Sequence, residues 1–160
     1  MTVEQAGLAE AERLWLAGRP LEAGRVLWAL VPEAHRARWV GRVLAWVREQ
    51  STLPADLGGP QAVAAVLAAT LGAAEPDEAA AAYRVVDTAL RRAEASGRFN
   101  SLEEAVLALA RNAARLVPGA VAAAPEPSAG WWFVASLKCV GDEFGPQFTA
   151  EAWPVLARLD

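Results

Sequence analysis

An all-α fold is predicted for this chain: a single-domain bundle or helical-hairpin array of about seven to eight helices. Three observations predict it. The apolar fraction is 54%, and much of it is alanine, the best helix former because it loses no side-chain entropy and lets neighbouring helices approach closely. Strand-forming residues are sparse by contrast. Ten prolines and twelve glycines punctuate the alanine-rich runs, so helices should alternate with turns. At 160 residues the chain fits one domain, 1–160, able to bury most of its apolar surface without staples. If it divides, it divides at the Pro/Ala-rich crossing 117–129.

Thr2 followed by Gln5 matches a capping box, in which each side chain satisfies a backbone donor at a helix start, and a first helix should run to about Ala17. "AGRP" ends it. Pro20 suits the first turn of a second helix through Leu30, because its missing N–H goes unneeded there. "VPEAH" resets the chain. From Pro32 to Glu49, Trp39, Val40, Val43, Leu44, Trp46 and Val47 share one broad face, opposite Arg38, Arg42 and Glu49. "STLPADLGGP" is a loop. Gln61 to Leu71 then forms a helix with no charged residue, which should be buried inside the domain or against a partner subunit.

A fifth helix, about 77–96, opens with acids that suit the positive end of a helix dipole and closes with glycine. Tyr83, Val86 and Leu90 are expected to face inward. Ser101 and Glu104 give a second capping box, ahead of Leu102, Val106, Leu109, Ala113 and Leu116 at helical spacing until "VPG". "AVAAAPEPSAG" reads as an extended crossing. "GWWFVASLKCVG", 130–141, reads either as a strand or as a helix capped by Ser128. The strand would have Lys138 on a poor polar face, whereas the helix groups Phe133, Leu137 and Val140, with Trp132, Ser136 and Cys139 alongside. The helix is adopted. A short helix from Thr149 or Pro154 to Leu159 closes the chain.

"AGRPLEAGRVLWALVP" and "SGRFNSLEEAVLALARNAARLVP" both pass from a helix end through Gly-Arg into a helix that stops at Val-Pro. The first resembles the turn and second helix of a tetratricopeptide hairpin, with Gly18 and Ala23 at that family's spacing. Gly18 and Gly97 lie 79 residues apart, however, which is no multiple of a period of about 34. No repeat array is expected.

Composition narrows the function. The single cysteine cannot form an internal disulfide, which favours a reducing, cytoplasmic setting. "MTVEQAGLAEAE" is acidic where a signal peptide is basic and then apolar. The uncharged stretch from Leu57 to Ala74 is broken by "GGP", so no membrane span is predicted. Fourteen arginines against one lysine point to a GC-rich, bacterial genome. Net charge is −4, and residues 19–49 alone carry a basic excess, six bases against three acids. Nucleic-acid binding wants a wider basic field.

One histidine and one distant cysteine cannot make a zinc site of the usual composition. No Glu-x-x-His pair occurs, and Glu75, Asp77, Glu78, Glu103 and Glu104 sit at helix starts, where they complement dipoles. Cys139 would need His35 as its base, and Lys138 would need a desolvated amine, for either to act as nucleophile. No phosphate-cradling glycine motif appears. No metal or cofactor is therefore expected, and no catalytic residue is assigned.

Trp39, Arg42 and Trp46, at spacings of three and four, place a guanidinium between two indoles on one helix margin. With Arg38 beside them, they form a candidate ligand or partner site. Trp131 and Trp132 join it, because adjacent helical residues point about 100° apart and cannot share one narrow core face. The expected function is a non-enzymatic protein–protein interaction domain of adaptor, chaperone-like or inhibitor type, with a protein partner or a homodimer. The alternative is a helical pocket that takes a small apolar or anionic ligand through these Trp and Arg residues.

Overall fold

The computed structural model describes residues 1–72, 75–98, 101–119 and 128–160, with the side chains of 128–132 and 134 left aside. The crossing expected over 117–129 therefore lies largely outside the described residues. Among those residues there are eight α-helices and no strand. The helices are α1 (Val3–Leu16), α2 (Pro20–Leu30), α3 (Arg36–Gln50), α4 (Gly59–Leu71), α5 (Pro76–Ala95), α6 (Leu102–Arg115), α7 (Ser128–Phe144) and α8 (Pro146–Leu156). The chain is all-α, as its alanine content and turn punctuation required.

Local signals set the ends. Thr2 Oγ1 accepts from the Gln5 amide at 3.1 Å while Gln5 Oε1 accepts from the Thr2 amide at 2.8 Å, which completes the capping box of α1. Ser101 Oγ accepts from the Glu104 amide at 3.1 Å and starts α6. Gly18 and Gly97 take φ of +76° and +78°. The next amides, of Arg19 and Arg98, donate back to Leu14 and Ala93 at 2.9 and 3.0 Å. Both helices thus close with the same left-handed glycine motif. The two Gly-Arg stretches are alike because they solve one capping problem twice.

Two sequence expectations are corrected and a third is narrowed. The helix expected from Pro32 begins as a 3₁₀ turn, Glu33–His35, and becomes α-helical only at Arg36. The last helix starts at Pro146 and runs through Pro154, whose ring removes the amide that would bond Ala150. Both residues are exposed. The uncharged α4 is not enclosed within the chain: Gln61, Ala64, Ala68 and Leu71 form an exposed stripe along it, which sets aside burial inside the domain and leaves burial against a partner subunit as the other expected outcome.

The enclosed element is α6. It packs against α3, α4, α5 and α7 and buries Val106, Leu107, Leu109, Ala110 and Ala113 completely. The reason is its sequence: alanine alternates with leucine and valine over most of its circumference, so four neighbours can approach. One core cluster takes residues from all eight helices. Trp15, Trp28 and Trp39 are buried in it, while Trp46 and Trp153 are half-buried against it. Indoles fill the gaps that alanine leaves, and each buried ring contributes several kcal/mol, at about 25 cal/mol per Å².

At one crossing the absence of a side chain is required. A Cβ on Gly41 of α3 would fall inside van der Waals contact of Thr70 on α4, so glycine sets the separation of these helices. The final helix α8 lies over α1, α3 and α7 and ties the two ends of the chain together. No helix among the described residues is long and apolar enough to cross a membrane.

Candidate functional site

The candidate ridge on α3 is assembled, and its neighbour is the chain's own C-terminal segment. Trp39 is fully buried, and its Nε1 donates to the Leu156 carbonyl at 3.0 Å. Its ring meets Phe133 edge-on at 5.0 Å and Trp28 at 6.4 Å. Arg42 does not lie between two indoles. Its Nη2 donates to the Arg158 carbonyl at 3.0 Å and to the Asp160 carbonyl. Trp46 packs on Phe148 of α8 at 4.8 Å, and Phe148 in turn stacks on Phe144 at 5.1 Å. A helix leaves its last carbonyls unsatisfied, and these α3 donors meet carbonyls at and beyond the end of α8. Arg38 stands exposed beside them.

Arginine–aromatic stacking occurs elsewhere. The Arg36 guanidinium sits 4.3 Å from the Trp28 ring and donates to the Trp28 carbonyl at 3.1 Å, near the end of α2. Arg115 lies over Tyr83 at 5.4 Å. Tyr83, expected to face inward, is accordingly only half-buried, whereas Val86 and Leu90 are buried.

The stretch 130–141 is helical, within α7. Phe133, Leu137 and Val140 are buried together as its periodicity required, while the side chains of Trp131 and Trp132 lie outside the described residues. Asn112 Nδ2 of α6 donates to Ser136 Oγ at 3.0 Å in a buried polar contact. Cys139 is exposed. It edges a cleft of about 400 Å³ between α5, α6 and α7 whose charged lining is Glu94, Glu104, Asp142, Glu143 and Arg111.

That cleft offers a thiol no imidazole, and a thiol nucleophile needs an adjacent base. Its guanidinium is engaged with Asp87 at 3.0 Å. Lys138 Nζ donates to Asp142 Oδ2 at 2.9 Å, and this contact raises the ammonium pKa. An amine nucleophile needs the opposite shift. Among the described residues no three His, Cys, Asp or Glu side chains gather as metal ligands.

The surface that sequence reasoning half-found lies between α4 and α5, which pack side by side. A groove of about 480 Å³ is lined there by Leu57, Gln61, Ala81, Val85 and Ala89, with Arg84 and Arg92 at its edge. Within this lining Val85 is 46% exposed. Neither guanidinium of Arg84 or Arg92 has an ion-pair or hydrogen-bond partner among the described residues. The uncharged run of α4 marked one wall. The other, Ala81, Val85 and Thr88 at spacings of four and three on α5, was hidden because Val85 sits beside the buried Val86.

Fold and site together define an all-helical protein with an open, basic-edged apolar groove. Family models, curated proteins and solved structures gave no match to this chain.

Proposed function

We propose that this chain is a non-enzymatic helical protein–protein interaction domain that receives a partner protein in the groove between α4 and α5. The observation that carries the reading is the exposed Val85, set among Leu57, Ala81 and Ala89 in the lining of that groove. Contiguous exposed apolar surface on a folded domain marks an interaction site more often than scattered single residues do. The Trp39, Arg42 and Trp46 ridge supports it indirectly, since those side chains are spent on the C-terminal segment. A reducing, cytoplasmic setting belongs to the same reading, supported by the lone cysteine.

The test is affinity capture from native cytosol with the wild-type chain and with Val85→Arg. Val85 is exposed, so this substitution should leave the thermal melt and helical content unchanged. A protein retained by the wild type and lost by the variant is the expected result. Identical retention by both would remove the groove from the interaction.

A further inference from the structure

Resting on that interaction reading, we infer that the occupant of the α4–α5 groove is an acidic amphipathic helix of another protein, and not a second copy of this chain. Three observations lead there.

The first is backbone chemistry. The groove's lining contributes few polar side chains: the Gln61 amide, the Thr88 hydroxyl and the two guanidinium groups. An extended peptide would bury amides and carbonyls with too few partners, and unpaired backbone groups are costly to bury. A helix satisfies its own backbone and can lay an apolar stripe on Val85, Ala81 and Leu57.

The second is shape. The exposed stripe on α4, beginning at the groove with Gln61 and continuing through Ala64 and Ala68 to Leu71, extends over ten helical steps. That is about 15 Å at 1.5 Å per residue. Small side chains along it let a third helix approach closely, as ridge-into-groove packing needs. Three turns of an incoming helix would cover it.

The third is charge, and it chooses the partner. α4 carries no charged residue, the groove lining holds no carboxylate, and Arg84 and Arg92 stand two turns apart on α5. A helix with acids at i and i+7 or i+8 presents carboxylates at matching separation. A two-fold contact of this surface with itself would gather four guanidinium groups with no lining carboxylate to offset them, and like charges across an interface oppose association. The protein as a whole is acidic, at −4, which makes this basic edge a local device for selecting acidic partners.

The experiment uses the full chain and two fluorescent 18-residue designed helices. They share a Leu/Ala stripe and differ only in carrying Glu or Lys at the two flanking positions, i and i+7. Fluorescence anisotropy at low salt should show at least tenfold tighter binding of the Glu peptide, a preference that shrinks in 0.5 M salt. The charge-reversed Arg84→Glu/Arg92→Glu chain should prefer the Lys peptide instead. Equal binding of both peptides, no binding of either, or an unchanged preference in the reversed chain overturns the inference. A concentration-dependent dimer in sedimentation velocity that Val85→Arg converts to monomer would overturn it in favour of a second copy. If Val85→Arg abolishes capture of a cytosolic protein while the peptides show no charge preference, the interaction reading stands and the acidic-helix inference falls.

Discussion

The indole of Trp39 donates its N–H to the carbonyl of Leu156, 117 positions further along the chain, across 3.0 Å. Both partners are buried, and the bond couples the first turn of α3 to the last residue of α8. It works with Trp15, whose Nε1 donates to the Thr149 carbonyl at 2.5 Å near the start of the same helix. Two tryptophans from separate helices thus hold α8 by its backbone, independent of its side-chain sequence.

Replacing Trp39 with Phe keeps an aromatic ring but leaves the Leu156 carbonyl without its donor. A buried acceptor deprived of its partner costs about 1–3 kcal/mol, whereas Trp39→Ala adds a cavity and should cost about 3–5 kcal/mol. Urea titrations of the three chains should rank them in that order with similar m-values.

Arg42→Met keeps much of the apolar stem and removes the donors to the Arg158 and Asp160 carbonyls. Amide hydrogen exchange should accelerate at 157–160 while protection in α6 stays at the wild-type level. Faster exchange throughout the molecule would mean that Arg42 supports the core and not the tail.

Gly41→Ala places a methyl group against Thr70. Because Thr70 is buried and its hydroxyl donates to Val66 at 2.9 Å, little room exists to yield, and overpacking should cost about 1–3 kcal/mol. Thr70→Ala in the same chain should recover part of the loss. A purely additive double variant would show that the crossing is not the cause.

Asp87 sits between Arg111 at 3.0 Å and Arg91 at 2.9 Å. Burial acts to raise its pKa, and the Arg111 hydrogen bond with the contacts to Arg91 outweighs it, so the carboxyl lies below its ordinary 3.8. A carboxyl whose folded pKa is depressed contributes stability above its unfolded pKa, and that contribution is lost as pH falls through the folded value. Denaturation midpoints should therefore decline below pH 3.8, and Asp87→Asn should flatten part of that decline. An identical acid limb in both chains would contradict the assignment.

Much of the fold was legible because helix ends are local. Thr2 with Gln5, Ser101 with Glu104, Pro20, and the glycines at 18 and 97 act through backbone groups within a few residues, and each appears where the sequence placed it. The inward faces of α3 and α7 were legible for a similar reason, since a period of 3.6 sorts Val40, Val43, Leu44, Phe133, Leu137 and Val140 without reference to a neighbour. The exposed state of Cys139 was not legible. It depends on which arc of α7 meets α2 and α6.

The candidate site divides along the same line. Spacing put Trp39, Arg42 and Trp46 on one helix with the guanidinium between two indoles, but spacing does not name what lies across from a helix, and Arg42 instead meets the carbonyls of Arg158 and Asp160.

By itself the sequence determined the class, the helix boundaries to within a few residues, and the faces that seek burial, because these follow from propensity, capping and periodicity along a contiguous segment. Only the tertiary structure decided that α6 is enclosed while the uncharged α4 keeps an open stripe, that tryptophan indoles clasp the final helix, and that Arg84 and Arg92 edge a bare apolar groove. Those outcomes depend on the order in which eight helices pack, which is set by the summed fit of many small contacts between residues far apart in the chain.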